Sequence, residues 1–76
     1  MNEIINNCIT EVLEVKNDFN GDTRLEEFGV SSIEFIKLIV VLEDEFSIEF
    51  EDEALDMSKF QKVSDIYDYV SNKVNV

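Results

Sequence analysis

Residues 29–46 read GVSSIEFIKLIVVLEDEF. The stretch opens on a glycine and two serines, passes through an apolar run and closes on acids. Successive side chains on an α-helix are about 100° apart. With Ser32 as zero, Phe35, Leu38, Ile39, Leu42 and Phe46 cluster between about 240° and 340°. That arc is wide enough to be the core face of a helix. Ile33, Ile36 and Val40 fall near about 100°, 40° and 80°. They form a second apolar stripe, with Lys37, Glu43 and Asp44 along its edges. A helix that is apolar on two faces has two surfaces to bury. Either another segment of the chain covers the second stripe, or it docks a partner as an apolar centre with a charged rim.

The two serines have different prospects. Ser31 with Glu34 reads as S-x-x-E, a capping box in which Ser31 accepts from the Glu34 backbone N–H and Glu34 reaches back. Ser32 is then the first residue inside the helix. Its hydroxyl would stand at the positive end of the dipole, where a phosphate is favoured. Gly29 either keeps the approach open or supplies a special backbone angle. The chain has no histidine, and Lys37 lies more than one turn along the helix. Ser32 is therefore better placed as a site of modification than as a nucleophile. The residues alone leave an ordinary helix start as the other reading.

Outside this stretch the pattern is helical almost throughout. Asn2–Lys16 carries Ile4, Ile5, Cys8, Ile9, Val12 and Leu13 on one face, with Asn2 as N-cap and Lys16 in the last turn. Residues 17–30 form a long connection that opens on the turn-rich NDFNGDT, and Leu25 and Phe28 would pin it to the core. Asp18, Asn20 and Asp22 begin like a calcium loop. Thr23 and Gly29 stand where that loop needs glycine and glutamate, so no metal site is expected. A short third segment spans about Glu51–Asp56, with acids at its start. The last runs from about Val63 to Lys73, with Val63, Ile66, Tyr67, Val70 and Val74 as its stripe. No segment alternates like a strand. The expected fold is all-α, a small four-helix bundle of three main helices plus a short third, in one domain over residues 1–76.

Bulk properties narrow the function. The 76 residues include 18 acidic and 6 basic ones, for a net charge of −12. Phosphate-backbone binding needs clustered cations, so nucleic acid is an improbable partner. The charge either aids solubility alone or steers the chain toward basic partners. One cysteine, Cys8, makes no internal disulfide and reads as a small core hydrophobe. No membrane span and no leader are visible, so the expected location is cytoplasmic. Without histidine, Ser-His-Asp and Cys-His catalysis are excluded, and no catalytic residue is expected.

LEEFGVSSIEFIKLIVVLEDEF, residues 25–46, resembles the acyl carrier protein family. The family pattern has an apolar residue, then Gly-x-Asp-Ser-Leu, then an amphipathic helix ending in Leu-Glu-x-x-Phe. Leu25, Gly29, Ser32, Ile33, Leu38, Leu42, Glu43 and Phe46 fall in register, and the likeness extends over essentially the whole chain. The resemblance implies that Ser32 carries 4′-phosphopantetheine, donated from coenzyme A by a phosphopantetheinyl transferase. The arm's thiol would hold an acyl or aminoacyl group as a thioester, and the chain itself would catalyse nothing. Ile33, Glu34, Ile36, Lys37 and Val40 would meet acyl-loading, condensing and processing enzymes, with the carrier acting as a monomer. Ile36, Val40, Phe50 and Leu55 would line an acyl pocket. Ser31 stands where the family places aspartate, and Lys37 and Phe35 depart from the fatty-acid carriers. These departures favour a specialised polyketide, nonribosomal peptide or aminoacyl pathway over housekeeping fatty-acid synthesis. An unmodified acidic interaction module, docking through Ile33, Ile36 and Val40, is the reading from a different class.

Overall fold

A computed structural model describes residues 2–74. Three α-helices carry the fold: α1 (Asn2–Leu13), α2 (Ser32–Phe46) and α3 (Val63–Val74). Short 3-10 turns interrupt both connections, at Leu25–Phe28, Asp52–Leu55 and Met57–Lys59. No strand occurs among the described residues; the one β element is an isolated antiparallel bridge between Arg24 and Lys62. The all-α bundle follows from the helical periodicity. The short third element is a pair of consecutive 3-10 turns rather than an α-helix.

The core is built from one face of each helix. Ile5, Cys8, Ile9 and Leu13 of α1 meet Phe35, Leu38, Ile39 and Leu42 of α2 and Val63, Ile66 and Val70 of α3. Leu25, Phe50, Ala54 and Phe60 close it from the connections. No polar or charged side chain is buried among the described residues. Burial pushes the Cys8 thiol up from its ordinary range, and Glu45 and Glu11 add to the effect. Cys8 is thus a neutral core residue.

Some boundaries differ from the sequence expectation. α1 stops at Leu13 because Glu14 takes a left-handed φ of 54°, which breaks the helical hydrogen-bond run. Lys16 therefore lies outside the helix, while Asn2 is already within it. Val74 is exposed, off the buried stripe that Val63, Ile66 and Val70 define. Phe46, counted on the core face of α2, is only partly buried.

The long first connection is held by non-local bonds. The Leu25 N–H donates to the Gln61 carbonyl at 2.9 Å, and the Val63 N–H donates to the Thr23 carbonyl at 3.0 Å. The Ser64 N–H reaches the Gly21 carbonyl at 2.9 Å. A side chain at position 21 would meet Ser64 Cβ at 3.3 Å, so glycine permits this close approach. Leu25 is buried, and Phe28 packs edge-on against Phe19 at 5.2 Å. Asn20 Oδ1 accepts from the Asp22 N–H at 2.8 Å, which makes this stretch an ordinary side-chain-supported turn.

Candidate functional site

The site begins with the way α2 starts. The turn Leu25–Phe28 ends at Gly29, which adopts φ 68° and ψ 34°. A side-chain-bearing residue would be strained there, and the space a Cβ would enter has no atom within 4 Å. Both roles considered for Gly29, an unusual angle and an open approach, therefore hold. Ser31 then takes an extended conformation and caps the helix. Its Oγ accepts from the Glu34 N–H, and the Ser31 N–H donates to Glu34 Oε1, each at 3.2 Å. The capping box legible in S-x-x-E is the observed one.

This cap separates the serines. The Ser31 hydroxyl is committed to the helix start. The Ser32 side chain is exposed and has no hydrogen-bond partner among the described residues. The first-turn N–H groups of an α-helix lack intrahelical acceptors and carry the positive end of the macrodipole. A free primary hydroxyl at that place fits the donor set needed for a phosphodiester: an accessible oxygen to esterify, beside N–H groups favourable to its negative charge.

A groove runs from Ser32 between α2 and the 3-10 turns, lined by Phe35, Ile36, Leu55, Asp56, Met57 and Ser58. Asp56 Oδ1 accepts from the Ser58 N–H at 3.0 Å and from the Ser58 hydroxyl at 2.8 Å. These bonds hold the Asp56 carboxyl below the usual aspartate range. Asp56, Met57 and Ser58 were not among the residues anticipated for the site. Asp-x-Ser at the head of a turn is a side-chain cap signal that could have marked them.

The second stripe of α2 is uncovered. Ile33 is 71% exposed, Val40 56% and Ile36 38%. No segment of the described chain packs over Ile33 or Val40, and Ile36 borders the groove at Leu55. Lys37 is exposed beside the stripe and has no carboxylate in ion-pair range among the described residues. Glu34 belongs to the cap and is half-buried.

The four residues anticipated for an acyl pocket do not share one cavity. Ile36 and Leu55 line the groove at Ser32. Val40 and Phe50 line a separate groove with Glu43, Asp44 and Ile48. Glu43 Oε2 accepts from the Phe50 N–H at 2.7 Å and ties the end of α2 to the following connection. No helix of the described chain is long and apolar enough to cross a membrane.

Comparison with known proteins agrees with this arrangement. The family model described as "Phosphopantetheine attachment site" matches residues 3–70. An acyl carrier protein of Buchnera aphidicola subsp. Acyrthosiphon pisum (strain 5A) is 34% identical over 73 residues, 93% of this chain and 89% of that one. An acyl carrier protein of Nitratidesulfovibrio vulgaris (strain DP4) is 43% identical over 49 residues, and the match spans 62% of its length. The crystal structure of an acyl carrier protein from Thermotoga maritima superposes with a TM-score of 0.80 at 30% identity, covering 96% of this chain and 85% of that one. The chain belongs to the acyl carrier protein family: it is a carrier rather than an enzyme, and its prosthetic group is covalently attached 4′-phosphopantetheine.

Proposed function

We propose that Ser32 is the attachment residue and that this carrier serves a specialised pathway. The observation that supports the first point is the division of labour between adjacent serines: Ser31 Oγ is bonded in the cap, while the Ser32 hydroxyl is exposed and unbonded. A phosphopantetheinyl transferase would supply the group from coenzyme A. The Ser32 oxygen attacks the phosphorus next to the pantetheine, its proton passes to the transferase, and the pyrophosphate bond breaks to release 3′,5′-ADP. The attached group supplies a terminal thiol that holds the cargo as a thioester.

The residues of the chain itself present that serine and recognise partners. Ile33, Ile36 and Val40 give an apolar docking stripe, and Lys37 and Glu34 mark its rim. Acidic surface elsewhere steers the carrier toward basic patches on the transferase and on loading, condensing and processing enzymes. The carrier acts as a monomer in the cytoplasm. Three residues favour a polyketide, nonribosomal peptide or aminoacyl pathway over fatty-acid synthesis. Ser31 takes the place of the family's aspartate, Lys37 puts an unpaired cation beside the docking stripe, and Phe35 puts a bulky ring below the arm.

The test is mass spectrometry after incubation with coenzyme A and a transferase of broad specificity. The wild type and Ser31→Ala gain one phosphopantetheinyl group, and Ser32→Ala gains none. A gain that survives Ser32→Ala and is lost in Ser31→Ala would assign the arm to the other serine.

A further inference from the structure

We infer that the transferase serving this carrier sets a carboxylate against Lys37 and a cation against Asp44, so that it docks on α2 in one orientation. The inference rests on attachment at Ser32 and names the partner chemistry beside that serine.

Ile33, Lys37, Val40 and Asp44 follow one another at alternating steps of four, three and four residues and form one exposed row along α2. Lys37 and Asp44 lie within about 20° of each other and about 10 Å apart along the axis, with Val40 between them. An enzyme that acts on the Ser32 oxygen itself must cover the start of this row, because Lys37 is only about 7.5 Å along the axis from Ser32. The transferase is that enzyme, since the partners that work on the cargo meet the far end of the arm.

The fold gives neither charge a partner. Lys37 is the one cation of α2. Glu34, three residues before it, is committed to the Ser31 N–H at 3.2 Å. Three and four residues after it stand Val40 and Val41, so the usual helical ion pair is absent. The ion pairs among the described residues are Arg24 with Glu26 and Lys73 with Glu51. Asp44 is exposed in the last turn of α2, where the helix dipole disfavours an anion. Glu43 in the same turn bonds to the Phe50 N–H at 2.7 Å, whereas Asp44 has no hydrogen bond or ion pair among the described residues. Local stability would put a cation there instead, so the order of the two charges is not explained by the fold.

Charge complementarity explains it. A uniformly basic surface laid along the row would meet a like charge at Lys37, which weakens docking. A face with an apolar centre, an acid at the Ser32 end and a base two turns further on satisfies every member of the row. Turned end for end, the same face would oppose like charges at both places, so the pattern also fixes direction. A second copy laid antiparallel would likewise set Lys37 against Asp44, but two chains of net charge −12 repel.

The experiment exchanges the two charges. Lys37→Asp combined with Asp44→Lys keeps composition and net charge, so long-range steering is unchanged. It also puts a cation in the last turn, so the variant should melt no lower than the wild type. Phosphopantetheinylation of the full chain is followed by mass in an extract of the organism's own cells supplied with coenzyme A, at limiting carrier. The exchanged chain and Lys37→Glu should react about tenfold more slowly than the wild type, with Lys37→Gln between them. The gap should narrow in high salt. An exchanged chain that reacts at the wild-type rate, or Lys37→Glu that reacts as fast or faster, would overturn the inference. Carbodiimide coupling, which joins an amine to a carboxylate in contact, should link Lys37 to the transferase. A link to Asp44 of a second copy would overturn it in favour of self-association. Failure of the attachment reading looks different: the wild type gains no mass, or Ser32→Ala still gains it, and this inference then falls as well.

Discussion

The two apolar stripes of α2 lie on one helix and have opposite fates. Phe35, Leu38, Ile39 and Leu42 are sealed in the core, while Ile33, Ile36 and Val40 face outward. Both stripes repeat at helical spacing, so hydrophobicity does not distinguish them. What distinguishes them is the rest of the chain: α1, α3 and the buried residues of the connections cover one face, and no described segment packs over Ile33 or Val40 on the other. A small domain thus keeps one buried side, which sets its shape, and one apolar side exposed. Ser32 lies at the junction of the two, where the helix starts.

Substitutions on each side test this contrast. The largest effect is expected from Leu42→Ala, which opens a cavity in the core and costs about 2–5 kcal/mol. A domain with about 5 kcal/mol of stability would be near unfolding at room temperature, as urea denaturation would show. Ser31→Ala removes the cap and costs about 0.5–2 kcal/mol, yet phosphopantetheinylation persists on Ser32. If instead it destabilises by less than a few tenths, the capping box does not hold the helix start.

Asp56→Ala tests the wall of the groove at Ser32 through pH. The folded carboxyl titrates below the ordinary aspartate range because Ser58 bonds to its charged form. Its contribution is therefore present above that range and is lost as pH falls through the folded value. The stability gap between wild type and variant should be visible at neutral pH and close in acid. A gap that stays constant with pH would mean that Asp56 acts by packing rather than charge.

The smallest stability effect is expected from Val40→Ala. An exposed substitution away from special features stays within about 0.5 kcal/mol. Turnover of the carrier by a partner enzyme should drop while the fold is unchanged. Equal destabilisation by Leu42→Ala and Val40→Ala would erase the distinction between the stripes.

The parts of the molecule that local chemistry decides were readable in the sequence. The start of α2 is fixed by Ser31 and Glu34, three residues apart, and the buried face of that helix follows from spacing. The order of the helices was equally visible. What escaped was set at a distance. Glu14 ends α1 in a left-handed conformation that no residue preference announces. The segment between Asp52 and Lys59 is two 3-10 turns split at Asp56, which takes an extended conformation and caps the second turn, a break that the acids at its start do not announce. The separation of Ile36 and Leu55 from Val40 and Phe50 depends on where the aromatic rings meet in space.

The bridge between Arg24 and Lys62 has a consequence for the order of assembly. Thr23 and Val63 lie far apart in the chain, and so do Leu25 and Gln61, yet their backbones are paired. α1 and α2 can meet early, because they are close in sequence. Anchoring of the segment that leads into Ser32 requires α3 to arrive and a large loop to close, a slow kind of contact to form, so it is expected after α1 and α2 have met. The approach to Ser32 is thus completed by long-range pairing rather than by its own helix alone. Amide exchange at Leu25 and Val63 would time it.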